Sequence, residues 1–226
     1  MKIMHVVLAC CVIGMSVNLF AEDVSVPAPV LKQSFFYGGL IGGYADVDWS
    51  SVVTKSGVVN ELLVDESNPY SADGTGFAYG VDGGYQFSSH MAVEAQYIRM
   101  PTSQLNFLFY GINNNFFNPY HLSGPTINSN MDFLSLIFKV MTPLGNSGFS
   151  LFVDAGPAYQ YQTNQIANIG TWAPTFGGGA DYRVNQHWFG ELSFQYAPGT
   201  GKSISNPMIA YIPEIYAETF KINYIF

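Results

Sequence analysis

The sequence predicts an all-β fold, an eight-stranded antiparallel transmembrane up-and-down β-barrel, on three observations. Segments of about ten residues alternate apolar and polar side chains with a period of two. Short and long connectors between these segments alternate strictly. The composition departs from that of a soluble domain: of 226 residues 48 % are hydrophobic and 16 % aromatic, but only 11 % are charged, against roughly 25 % in ordinary globular chains. After residue 21 no apolar run approaches the roughly 20 residues of a membrane-crossing helix. A closed ring of strands satisfies every backbone hydrogen bond inside lipid without one.

Residues 1–21 read as a cleaved signal peptide. Lys2 supplies the positive start, an uncharged and mostly apolar stretch follows, and Leu19-Phe20-Ala21 places a small residue at the cut. Glu22 and Asp23 then open the mature chain, with a periplasmic segment over 22–33 and the barrel over 34–226. An uncleaved helical anchor is the rival reading, and the span is barely long enough for it. Leu8-Ala9-Cys10-Cys11 resembles a lipoprotein cleavage box, but that cut would fall in the middle of the apolar run. Cys10 and Cys11 are the only cysteines, so the mature chain carries no thiol, disulfide or cysteine metal ligand. Removing Lys2 with the leader leaves seven bases against sixteen acids, a net charge of −9 that argues against nucleic acid as a partner.

The eight strands are expected near 34–46, 76–87, 91–100, 131–142, 149–161, 171–184, 188–198 and 213–226. Tight turns fall at 88–90, 144–148 and 185–187; long connectors fall at 47–75, 101–130, 162–170 and 199–212. Short turns on the periplasmic side and long loops outside are the pattern of outer-membrane barrels. The faces follow from the alternation. Val81, Tyr85 and Phe87 oppose Asp82 and Gln86; Val93 and Tyr97 oppose Glu94 and Gln96; Leu134, Leu136, Phe138 and Val140 oppose Ser135 and Lys139. Later, Leu151 and Val153 oppose Asp154, Phe176 and Tyr182 oppose Asp181 and Arg183, and Leu192 and Phe194 oppose Glu191. The apolar face is expected to meet lipid and the charged face to line the lumen, the inverse of a soluble barrel.

The final segment ends with Phe220, Ile222, Tyr224 and Phe226 on one face. A terminal Phe after alternating apolar residues resembles the signal by which outer-membrane assembly machinery reads its clients. Phe36-Tyr37-Gly38-Gly39-Leu40-Ile41-Gly42-Gly43-Tyr44 resembles the first strand of OmpA-like and opacity-type barrels, and Gly80-Val81-Asp82-Gly83-Gly84-Tyr85 with Glu94-Ala95-Gln96-Tyr97 resembles their second hairpin. Pro143-Leu144-Gly145 and Gly178-Gly179-Ala180-Asp181-Tyr182 fit later strands of the same family. The resemblance implies the outer membrane of a Gram-negative bacterium, with lipid and lipopolysaccharide around the barrel. Such families often add a peptidoglycan-binding domain after the barrel; this chain stops at Phe226, so that tether is not carried over.

The candidate site is the lumen: Asp82, Glu94, Asp154, Asp181 and Glu191 with Lys139, Arg183 and Lys221. Charges in a narrow, poorly hydrated interior are costly unless paired. A salt-bridge plug is therefore expected, with each base shared between acids; in OmpA-like barrels similar networks have been proposed to gate a small pore. His121-Leu122-Ser123 superficially resembles the His-x-Ser of lipid A deacylases but falls in a long connector, where nucleophile, base and orienting acid have no evident way to converge. The glycine clusters lack a Walker lysine, and the acidic residues of the first long connector lack calcium-loop spacing. No catalytic residue, metal or cofactor is expected. The reading is a structural or surface-interaction barrel whose outer loops contact host or surface ligands; the alternative is a small or hydrophobic solute channel like OmpW-type barrels, and third a lipid A-modifying enzyme.

Overall fold

The computed structural model describes residues 34–51, 53, 69, 71–106, 126–165, 168–200 and 211–226. The expected leader, its cut near Ala21, the 22–33 segment and His121 lie outside the described residues. The strands are β1 (Phe35–Asp48), β2 (Ser71–Asp73), β3 (Thr75–Ser88), β4 (Met91–Arg99), β5 (Ser103–Asn106), β6 (Thr126–Pro143), β7 (Phe149–Asn164), β8 (Asn168–Arg183), β9 (Trp188–Ala197) and β10 (Glu214–Ile225). All pairings are antiparallel, and β6 pairs with β7 to close the sheet.

Two of the eight staves are broken rather than added to. β2 and β3 are one strand interrupted at Gly74, and β4 and β5 one interrupted at 100–102. Tyr79 faces Arg99 but Asp73 faces Gln104, and Arg99 faces Asp132 but Ser103 faces Ser129, so the register steps by one residue on both seams. Pro101 has no N–H for the ladder; Met100 N–H holds the seam by donating to Met131 O at 2.9 Å.

All eight strands lie where the alternation puts them, but several run further outward. β6 starts at Thr126 instead of 131, β7 reaches Asn164 instead of 161, and β8 starts at Asn168 instead of 171. The reason is a change of solvent. Above the lipid the outward positions turn polar, as at Asn128 and Asn130, while Ile127 and Met131 stay buried. The ladder continues where the apolar stripe that marks it has stopped.

The outward face has a banded structure. Phe36, Phe87, Phe149, Tyr182, Trp188, Tyr224 and Phe226 ring the turn end; Tyr44, Phe77, Tyr79, Tyr97, Tyr161 and Trp172 ring the loop end, all of them exposed. Between these girdles lie Leu40, Val81, Leu134, Leu136, Leu151, Leu192 and Ile222, also exposed. From Phe36 to Tyr44 is eight residues, which at about 3.3 Å each and a tilt of about 40° climb roughly 20 Å, close to the apolar height of such barrels.

The inward face differs from the expectation in one respect. It carries the charges only in its lower half. The upper half carries no charge among the described residues and is mainly apolar: Ile41, Ala45, Val47, Ile98, Met131, Phe133, Ile215 and Ala217 form one buried cluster, topped by Trp49 and Tyr211, with Gln160 and Gln162 buried beside Phe133 and Met131. Here both faces of the strands are apolar, because the interior of an eight-stranded barrel is only wide enough to be filled by side chains.

The banding sets the cost of a charge by depth. Leu136→Arg, on the lipid face midway between girdles, should destabilise the barrel by about 2–4 kcal/mol, and Leu144→Arg, in a turn, by about 0–1 kcal/mol. Denaturant titration in lipid vesicles reads both; equal losses would contradict the assigned faces.

Candidate functional site

Four charged side chains meet in the lower lumen, from two opposite walls. Lys139 on β6 and Glu94 on β4 come from adjacent strands; Glu191 on β9 and Lys221 on β10 come from the far side, where they face each other in register. Each lysine reaches both acids. Lys139 Nζ lies 2.5 Å from Glu94 Oε2 and 2.6 Å from Glu191 Oε2; Lys221 Nζ lies 2.7 Å from Glu94 Oε1 and 2.8 Å from Glu191 Oε1. The four are buried almost completely. The result is a neutral cross-brace spanning the barrel.

Glu94 is its hub. Besides the two lysines it accepts a hydrogen bond from Tyr37 Oη at 2.7 Å and one from Gln96 Nε2 at 2.6 Å. Both carboxylate oxygens are thereby doubly engaged, which is what a buried charge needs to offset its desolvation. Lys139 also lies over the Phe152 ring, 4.7 Å from its centroid, a cation–π contact. Glycines make this crowding possible. A β-carbon on Gly84 would stand 2.5 Å from the Tyr37 hydroxyl, and one on Gly177 would stand 2.5 Å from Asp154 Oδ1.

The remaining predicted lumen residues do not join the brace. Asp154 faces Lys139 directly across the β6–β7 ladder, yet the lysine passes it over. Neither oxygen of Asp82, and not Oδ1 of Asp154, has a hydrogen-bond partner among the described residues. Arg183, expected to be shared between acids, makes no ion pair among the described residues; its guanidinium lies on the Phe35 ring, 4.6 Å from the centroid. The reason is position. Arg183 sits at the turn end of β8, below the brace, where Phe35, Tyr37, Phe189 and Ile225 form an apolar cap, and Asp181 faces the acid Glu191 across the β8–β9 ladder rather than a lysine. Tyr37 and Gln96 are the participants that sequence reasoning did not single out, although both lie on the inward face beside a charge.

The described residues fill the lumen in three tiers: the aromatic cap at the turn end, the cross-brace, and a mainly apolar fill above that also buries Gln160 and Gln162. Beyond the fill, Trp49 and Tyr211 rings lie 6.0 Å apart and Tyr211 shares a hydrogen bond with Ser51. Phe220, Ile222, Tyr224 and Phe226, the residues of the expected assembly signal, all point outward, with Phe226 the most exposed at 73 %. No group of acids and histidines suited to a metal ion occurs among the described residues.

The family model of the outer membrane protein beta-barrel domain matches residues 9–212. A search of curated proteins returns no match. Among solved structures the chain is similar to Neisserial surface protein A, at 10 % identity over 86 % of this chain and 100 % of that one, with a TM-score of 0.53. It is also similar to the N-terminal barrel domain of Pseudomonas aeruginosa OprF, at 11 % identity over 86 % and 98 % with a TM-score of 0.46. For Ail of Yersinia pestis the identity is 11 % over 87 % and 100 %, with a TM-score of 0.42. At these identities the likeness is one of fold.

The brace should behave as a unit. Lys221→Met leaves two buried carboxylates on one lysine and should cost about 3–5 kcal/mol. Adding Glu191→Gln to that variant should restore part of the loss, because it removes the uncompensated charge. A double variant whose loss is the sum of the two single losses in vesicle unfolding would show that the pair is not coupled.

Proposed function

We propose that this chain, which belongs to the outer membrane protein beta-barrel domain family, serves as a closed outer-membrane barrel that displays its long outer connectors as an interaction surface. The observation that carries this reading is the three-tier filling of the lumen, which leaves the outside of the molecule as the place where specificity can reside. The connectors between β1 and β2, β5 and β6, and β9 and β10 hold far more residues than the turns at the other end. Loops set on a rigid scaffold are where binding residues concentrate. Lipid and lipopolysaccharide surround the girdles, and host or surface ligands contact the loops. Residues 1–21 direct export and are removed near Ala21, leaving a mature chain free of cysteine.

A pore is the second reading. Asp82 and Asp154, left over from the neutral brace, make the lumen a net anionic passage wherever it opens. Planar-bilayer recording separates the two: a closed barrel passes no steady current, and a steady cation-selective current would establish the pore instead.

The absence of cysteine from residues 22–226 offers a direct test of orientation. In intact cells, a membrane-impermeant maleimide should label Asn114→Cys, in a long connector, and leave Ser147→Cys, in a tight turn, unlabelled. The reverse pattern would invert the barrel in the membrane and move the interaction surface to the periplasm.

The outward aromatic ladder of β10 supports recognition by the assembly machinery. Deleting Phe226 should lower the amount of heat-modifiable barrel recovered from outer membranes. Recovery at the level of the unaltered chain would remove the terminal aromatic from the signal.

A further inference from the structure

We propose that the turn end of the barrel is a binding site for a small zwitterion with a free carboxylate, an amino acid or a dipeptide, in which Arg183 takes the carboxylate and Asp181 the ammonium. A cavity of about 400 Å³ opens there between the 144–148 turn and the end of β8, with Gln86, Ser147, Ser150, Asp181 and Arg183 in its lining. Its size is that of small-ligand sites generally, about 300–1,000 Å³. A second space of about 30 Å³ continues from the same Gln86, Asp181 and Arg183 up to Lys139 and Glu191, room enough for a water molecule. The two spaces share Gln86, Met141, Asp181 and Arg183 in their linings, and the smaller one also touches the cap residues Phe35, Tyr37 and Phe189.

Arg183 is presented for binding. Its guanidinium is half-buried and stacked on Phe35. Stacking uses the flat face of the group and leaves its in-plane N–H fork for a planar, bidentate acceptor. Among the described residues no carboxylate stands within ion-pair distance of it, whereas the chain's other arginine, Arg99, is clasped by Asp132 at 2.7 Å. The Arg183 backbone N–H donates to Gly148 O at 2.9 Å, which pins the end of β8 to the turn that walls the cavity. Asp181 lies two residues back on the same inward face, about 7 Å along the strand. Ser150 faces it across the ladder.

The charge pattern selects the ligand class. Arg183 alone would accept any anion, but Asp181 beside it opposes a dianion and rewards a cationic group a few ångströms from the carboxylate. A zwitterion answers both. By orientation the site faces the periplasm, since the tight turns of such barrels lie on that side.

The two arginines make the test direct, because Arg99 and Arg183 are the only ones in the chain. In the micelle-refolded barrel labelled with ¹⁵N-arginine, Ala-Ala should move the Arg183 Nε–H signal saturably and leave Arg99 unmoved. Ala-Ala-amide, without the carboxylate, should bind about tenfold or more weakly, the worth of a charge-assisted hydrogen bond. Asp181→Asn should weaken Ala-Ala but not N-acetyl-Ala-Ala. Arg183→Met, checked for heat-modifiable mobility, should abolish binding, and Arg183→Lys should restore part of it should Arg183→Met fail to fold. An Arg183 signal unmoved by Ala-Ala, or moved equally by the amide or by inorganic phosphate, would overturn the assignment.

Discussion

The closed ring of backbone hydrogen bonds is the constraint from which the rest of this structure follows. In lipid an unpaired N–H or C=O costs several kcal/mol, so the eight staves must pair all the way round, and β6 pairs with β7 to finish the circle. A ring of that size has an interior just wide enough for side chains. Apolar residues are then required outside, the interior is left to whatever fits, and any charge placed there must be neutralised within reach of its own side chain.

The cross-brace meets that requirement in a way that also discriminates between registers. Replacing a buried ion pair by apolar residues of similar volume is often neutral or stabilising, so the four charges are weak evidence of stability for its own sake. What they do is join walls that share no ladder. Glu94 on β4 is tied to Lys221 on β10 and Lys139 on β6 to Glu191 on β9. A one-residue slip of β10 would turn Lys221 into lipid and Phe220 or Ile222 into the lumen. The correct closure is the one that leaves no charge stranded on either side. The glycines at 84 and 177 belong to the same device, since they are the places where Tyr37 and Asp154 are allowed to lie against the wall.

Much of this was legible in the sequence, and what was not has identifiable causes. Period two is a local property, so the faces of Leu136 and Lys139 or of Leu192 and Glu191 could be read directly. Strand ends on the loop side were hidden because Asn128 and Asn130 replace the apolar outward residues while the ladder goes on. The mainly apolar upper lumen was signalled by runs such as Tyr97-Ile98 and Phe133-Leu134, where both faces are apolar, but such runs also suit a strand facing lipid. Partner choice in the lumen lay beyond the sequence. Lys139 stands opposite Asp154 in the ladder and bonds elsewhere, because its long stem projects across the barrel to acids on other strands, and which acids it meets depends on the stagger of all eight staves at once.

The two ends of the barrel are closed by different chemistry, and that difference bears on what each can do. At the loop end the described fill is mainly apolar and Trp49 and Tyr211 cover it, with no charged side chain inside the wall among the described residues. At the turn end the cap is one aromatic layer, and just outside it Arg183 lies on Phe35 without an ion pair among the described residues. Asp181 stands two residues away on the same face, yet among the described residues the guanidinium makes no ion pair with it and lies on Phe35 instead. Among the described residues one end is thus filled mainly by hydrocarbon while the other carries an oriented guanidinium, so the two ends differ in the chemistry they present.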